Sequence, residues 1–153
     1  MYRLILAAMT LMALAAPASA LSIRDCTDDA PTASAWNLAE PWEKNTKVFS
    51  KGEIRVALID TGGEPACCSM HLLILSPNKD EQAEYRSCHL VNDHEGLGFV
   101  SIDFARLSAS YDPKKGLLIS FPYKLYNDAG GPQAGGIAKV RVNSVDGTVK
   151  AER

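Results

Sequence analysis

The chain predicts a mainly β fold: an antiparallel β-sandwich or small barrel of about six or seven strands with at most one short helix, with an α+β fold as the alternative. Three observations carry this expectation. From residue 53 onward, short β-branched and apolar runs recur between glycine, proline and aspartate turn signals; no long segment has a helical apolar period; and four cysteines lie beyond an export-type leader, where disulfides can staple a loop-rich domain.

Residues 1–20 read as a cleaved export signal. Arg3 supplies the positive end, residues 4–16 the apolar run, and Ala18, Ser19 and Ala20 the small residues that signal peptidase accepts, with Pro17 ending any helix before them. Cleavage is expected between Ala20 and Leu21, and after Ala18 as the alternative. The apolar run of 13 residues is short against the roughly 20 needed to span a bilayer, and no later run is longer, so no membrane span is expected in the mature chain.

Removing 20 of 153 residues leaves 133, the size of one domain. Residues 21–52 predict an irregular N-terminal arm, broken by Pro31 and Pro41, and residues 53–153 a β-rich domain that packs with the arm as one globular unit. Trp36 and Trp42 lie in the arm, and packing onto the chain's own domain is the reading preferred over contact with a partner.

Within the β region, EIRVALID (53–60) is a β-branched strand followed by the turn TGGEP, and HLLILS (71–76) is so continuously apolar that both of its faces must be covered. YRSCHLV (85–91) is placed to form a hairpin with it. FVSIDFARLSASY (99–111) predicts a strand and then one helical turn with Asp103 as N-cap. DPKKG (112–116) is a turn in which Gly116 adopts the left-handed conformation, and LLISFPYKLY (117–126) is a strand that Pro122 confines to an edge or a bulge. A glycine-rich loop at 127–136 leads to a closing hairpin over GIAKVRVNSVDGTVKAE (136–152), with Asp146-Gly147 as a two-residue turn.

The loss of Arg3 leaves 15 basic against 18 acidic side chains, a formal charge of −3, with no basic cluster. This argues against nucleic acid or an anionic membrane surface as partner. The glycine loop lacks the G-x-x-x-x-G-K-[ST] pattern, there is no G-x-S-x-G elbow and no C-x-x-C, and the acids are too scattered to nominate a catalytic pair, so an enzyme is disfavoured and no cofactor is expected.

Cys26, Cys67, Cys68 and Cys88 are read as two disulfides. Bridging the neighbours Cys67 and Cys68 makes a rare ring, so Cys26–Cys67 with Cys68–Cys88 is preferred, ahead of Cys26–Cys68 with Cys67–Cys88. The competing chemistry is a copper or zinc site drawn from Met70, His71, His89 and His94, beside Cys68 and Cys88. Met70 and His71 are neighbours on a predicted strand and would face opposite ways, which counts against it.

The layout resembles that of small exported proteins of Gram-negative bacteria, with a signal peptide and a disulfide-stapled β domain. The resemblance implies the periplasm, with the extracellular space as alternative, and carries no functional residues across. The resulting expectation is a non-catalytic binding or interaction module of the bacterial cell envelope, whose partner is an unidentified envelope protein or ligand. A periplasmic metal-binding protein and a small enzyme without a recognisable motif are the alternatives.

Overall fold

The computed structural model describes residues 21–63, 67–80, 83–93, 97–127 and 134–152. The predicted leader, His94 and most of the glycine loop lie outside these residues. The chain is mainly β, in two antiparallel five-stranded sheets. The strands are β1 Ser22–Asp25, β2 Thr46–Phe49, β3 Ile54–Asp60, β4 Met70–Ser76, β5 Ser87–Asn92, β6 Ser101–Ile102, β7 Ser108–Asp112, β8 Gly116–Lys124, β9 Gly135–Asn143 and β10 Thr148–Ala151. The first sheet has the order β1-β5-β4-β3-β2; in the second, β10-β9-β8 is continued along the far side of β8 by β7 and then β6.

The arm is more ordered than its composition suggests. Its two ends supply the edge strands β1 and β2, paired with β5 and β3, and only the stretch between them is irregular. Neither edge strand exceeds four residues, and polar and charged residues interrupt both, so their alternation is too brief to stand out in sequence.

Continuous apolarity in β4 has the predicted cause. Leu72 and Ile74 join Ile54, Val56, Leu58 and Val91 in a core between the sheets, where they meet Phe99, Leu117, Ile119, Phe121, Val140 and Val142. Leu73 turns the other way, into a second cluster with Cys26, Ala57, Ile59 and Leu90 that Ala33 and Leu38 of the arm cover. A strand buried on both faces has no polar position to alternate with.

Pro122 departs from the expectation of an edge or bulge, since β8 is flanked on both sides. Its partner along one side is β9, at Ile137; along the other, β7 reaches only Ser120 and β6 begins at Tyr123. The Pro122 carbonyl accepts from the Asp103 N–H in that gap. A strand residue's N–H and C=O point the same way, so the N–H that proline lacks would also face the gap.

Asp103 caps the 3-10 turn Phe104–Arg106 as predicted, accepting from the Arg106 N–H, and Gly116 takes the left-handed conformation at φ 88°. The closing hairpin turns over four residues, not two. Asn143 pairs with Thr148, and Asp146 accepts from both the N–H and the hydroxyl of Thr148. Lys47 ties the sheets together at one edge: its ammonium donates to the carbonyls of Phe104, Ala105 and Leu107 at 3.0, 3.4 and 2.8 Å.

Candidate functional site

Two places on the molecule combine exposure or unsatisfied polarity with a definite shape. The first is the outer face of the first sheet, beside the arm. Leu38 makes an isolated bridge with Ile59, the Ala39 N–H donates to the Leu58 carbonyl, and Asn45 accepts from the Leu58 N–H, so the arm is pinned along the end of β3. Between this anchorage and β2 the arm leaves an open cleft in the outer face. Ala57, Leu73 and Leu75 form the floor of this cleft of about 410 Å³, walled by Leu38, Val48 and Arg55.

Trp36 and Trp42 are both exposed, at 82% and 54%. The preferred reading of self-packing is therefore corrected: the arm's own packing is done by Ala33, Leu38 and Ala39, whose small or aliphatic side chains fit against the sheet. Trp36 precedes the cleft residue Leu38 by two positions, and the Trp42 carbonyl accepts from the hydroxyl of Thr46, another cleft residue. Exposed indoles on the segment that borders an apolar cleft suit a binding surface, since each buries a large area at small entropic cost once a partner arrives.

The second place lies at one end of the sandwich, where the segment before β4 meets the residues that follow β5. The disulfides are Cys26–Cys88 and Cys67–Cys68, so both cross-pairings expected from sequence are corrected. Register explains why. Asp25 pairs with His89, which makes Cys26 and Cys88 the next opposing residues, with Cα atoms 5.4 Å apart. Cys88 itself lies opposite Leu75, seven residues along from Cys68, roughly 20 Å at strand spacing and far beyond the roughly 7 Å a bridge can span. Cys67 and Cys68 are left with each other.

The two bridges do different work. In the chain-entropy picture, closing the 62-residue separation of Cys26–Cys88 contributes about 4 kcal/mol, whereas closing adjacent residues contributes roughly 1. Cys26–Cys88 therefore staples the arm to β5, beneath the second cluster, and Cys67–Cys68 holds almost nothing.

Beside Cys68 lies a buried polar pair. His71 and Asn92 are 4% and 0% exposed, and the His71 Nδ1 is 2.7 Å from the Asn92 Oδ1. An amide oxygen only accepts, so Nδ1 carries the proton and Nε2 presents a lone pair. Neither that Nε2 nor the Asn92 Nδ2 has a hydrogen-bond partner among the described residues. Burial holds the imidazole below its ordinary pKa of 6.5, with the Asn92 hydrogen bond opposing, so the ring is neutral at pH 7.

Gly98 permits this crowding. A Cβ built there would stand 2.0 Å from the Cys68 carbonyl oxygen and 2.8 Å from the His71 Cε1.

The residues of the metal reading are not brought together. His71 is on the arm side of the first sheet. Met70 packs against the inter-sheet core, and His89, opposite Ile74, faces the same way as Met70 but four residues along. His94 lies outside the described residues, and no group of three or more His, Cys, Asp or Glu among the described residues is placed to hold a metal ion. Sequence reasoning missed Asn92 altogether; only the β4–β5 register, Leu72 to Val91 and so His71 to Asn92, could have found it. No described helix is long and apolar enough to cross a membrane. Comparison with protein-family models, with characterised proteins and with solved structures finds no match, so the geometry of these two places is what a functional reading has to work from.

Proposed function

We propose that this protein is an exported, non-catalytic binding module of the bacterial cell envelope, working in the periplasm and holding its partner on the outer face of the first sheet. The observation that supports it is an open, largely apolar cleft floored by Ala57, Leu73 and Leu75 in a domain whose neighbouring arm also exposes Trp36 and Trp42. Val48, 65% exposed on the edge strand β2, extends the same apolar surface. Arg55 at the rim is the only charged side chain besides Lys47 among the described cleft residues, which suits a partner that inserts an apolar group and carries a carboxylate near it. The Cys26–Cys88 bridge is compatible with export, because an oxidising compartment keeps it closed.

Capture from envelope extract with immobilised protein tests this reading, comparing wild type with the double variant Trp36→Ala/Trp42→Ala. A partner retained by the wild type and lost with the double variant is the expected outcome. Equal retention by both, or nothing above background at micromolar bait, would overturn it.

A further inference from the structure

We propose that Cys67–Cys68 is a redox-active disulfide that accepts two electrons from a dithiol, with His71 and Asn92 as positioning residues that favour its reduced form. The inference is independent of the cleft and would stand if the binding reading failed.

Three observations converge on this pair. Cys26–Cys88 joins residues 62 apart and secures the arm, while Cys67–Cys68 joins neighbours and secures no second element, so its presence calls for a reason other than stability. The two sulfurs also belong to residues of unequal access. Cys67 is partly exposed and Cys68 is 2% exposed. Thiol–disulfide exchange needs one reachable sulfur to attack, and a shielded leaving thiol is protected from other oxidants.

The third observation is the polar pair. In the disulfide form the buried His71 Nε2 offers a lone pair that no described donor meets, beside a Cys68 whose carbonyl shares with His71 the space that Gly98 leaves open. A disulfide sulfur has no proton to give. The Cys68 carbonyl, not its sulfur, is what the structure places beside the ring; in this proposal reduction turns Cys68 into a thiol that donates to Nε2, which stabilises the reduced state relative to the oxidised one.

A thiolate of the incoming dithiol attacks the Cys67 sulfur, the Sγ–Sγ bond breaks, and its electron pair goes to the Cys68 sulfur, which takes up a proton. The second thiolate of the dithiol then attacks its own sulfur in the mixed disulfide, forming the donor's disulfide and releasing Cys67, which is protonated in turn. Two electrons and two protons pass to the protein, and the donor leaves oxidised.

The test is a redox titration of the folded full chain in buffers of reduced and oxidised dithiothreitol, with thiols trapped by a maleimide and located by peptide mapping. Cys67 and Cys68 are expected to titrate together as one two-electron step while Cys26–Cys88 stays closed and the circular dichroism is unchanged. Opening of Cys26–Cys88 first, or reduction of Cys67–Cys68 only on unfolding, would overturn the proposal. In the variant His71→Phe, which removes the acceptor, the exchange constant is expected to move about tenfold toward the disulfide, about 30 mV. Asn92→Ala, which frees the ring to turn, should move it the same way by less, and no change in either variant would overturn the positioning role. Repeating the reduction with a C-x-x-C protein as donor identifies the source: a faster rate than with dithiothreitol marks a protein dithiol, and an equal rate a small one.

Discussion

His71 illustrates how one residue ties stability to pH. Its folded pKa lies below the ordinary 6.5 because burial disfavours the charged ring, and His89 is lowered for the same reason, with Asp25 opposing. The unfolded chain therefore binds more protons than the folded one as pH falls below 6.5, and stability drops with it. The lowered carboxyls of Asp25, Asp103, Asp112, Asp146 and Glu152 act in a separate window, their contribution present above ordinary values of 3.8 to 4.5 and lost only below them. Urea midpoints should thus fall between pH 8 and pH 5, above the window in which those lowered carboxyls act, and less steeply in His71→Gln; a flat profile for the wild type would contradict a neutral buried His71. Gly98→Ala would fill the space that Cys68 and His71 share. Its methyl group would meet the Cys68 backbone, which cannot yield as a flexible side chain can, so we expect a loss of about 1–3 kcal/mol by urea unfolding. Neither result was legible in the sequence. His71 was visible as a titratable residue, but its partner and its face follow from register, and the vicinal bridge follows from how far β4 carries Cys68 from Cys88.

Elements were more legible than residues, and where they were not, the reason is local. β4 stands out because burial on both faces demands an unbroken apolar run, β3 because its β-branched and apolar residues are broken only by Arg55, and the Asp103 cap and Gly116 turn because each rests on a few adjacent residues. β1 and β2 are short edge strands whose pairing depends on distant partners, so their residues read as an irregular arm. Pro122 was misjudged because the rule that proline avoids central strands assumes an unbroken neighbour, and the flank of β8 changes hands there. Lys47 anchors the edge strand β2. Its ammonium meets three carbonyls around the 3-10 turn Phe104–Arg106 and lies 5.3 Å from the centre of the Phe104 ring, and β2 has no other described strand beyond it to secure its edge. Replacing Lys47 by Met keeps the stem and removes the charge, leaving those carbonyls to water. A loss of about 1–3 kcal/mol is expected, read as a lower urea midpoint together with faster amide exchange in β2 than in β4.

At the scale of the whole molecule the question is what the arm is for. Its inner side chains complete the second apolar layer over β3, β4 and β5, and the Cys26–Cys88 bridge fixes that layer covalently, so the fold is closed without any contribution from the two tryptophans. Stability and the proposed binding surface are therefore separable by mutation. Trp36→Ala/Trp42→Ala should change the free energy of unfolding by no more than about 0.5 kcal/mol, as substitutions on exposed surface do. Leu38→Ala, which opens the layer beneath the arm, should cost more, about 1–2 kcal/mol because Leu38 is only partly buried. The tryptophans can report on themselves, since the chain has two and both lie in the arm. Emission of the folded protein should resemble that of indole in water, respond fully to a polar quencher such as acrylamide, and change little on unfolding. A double variant that unfolds well below the wild-type midpoint, or emission already shifted to the blue in the isolated protein, would mean that the indoles pack on their own domain, and the cleft would lose the aromatic anchors on which its role as a docking surface rests.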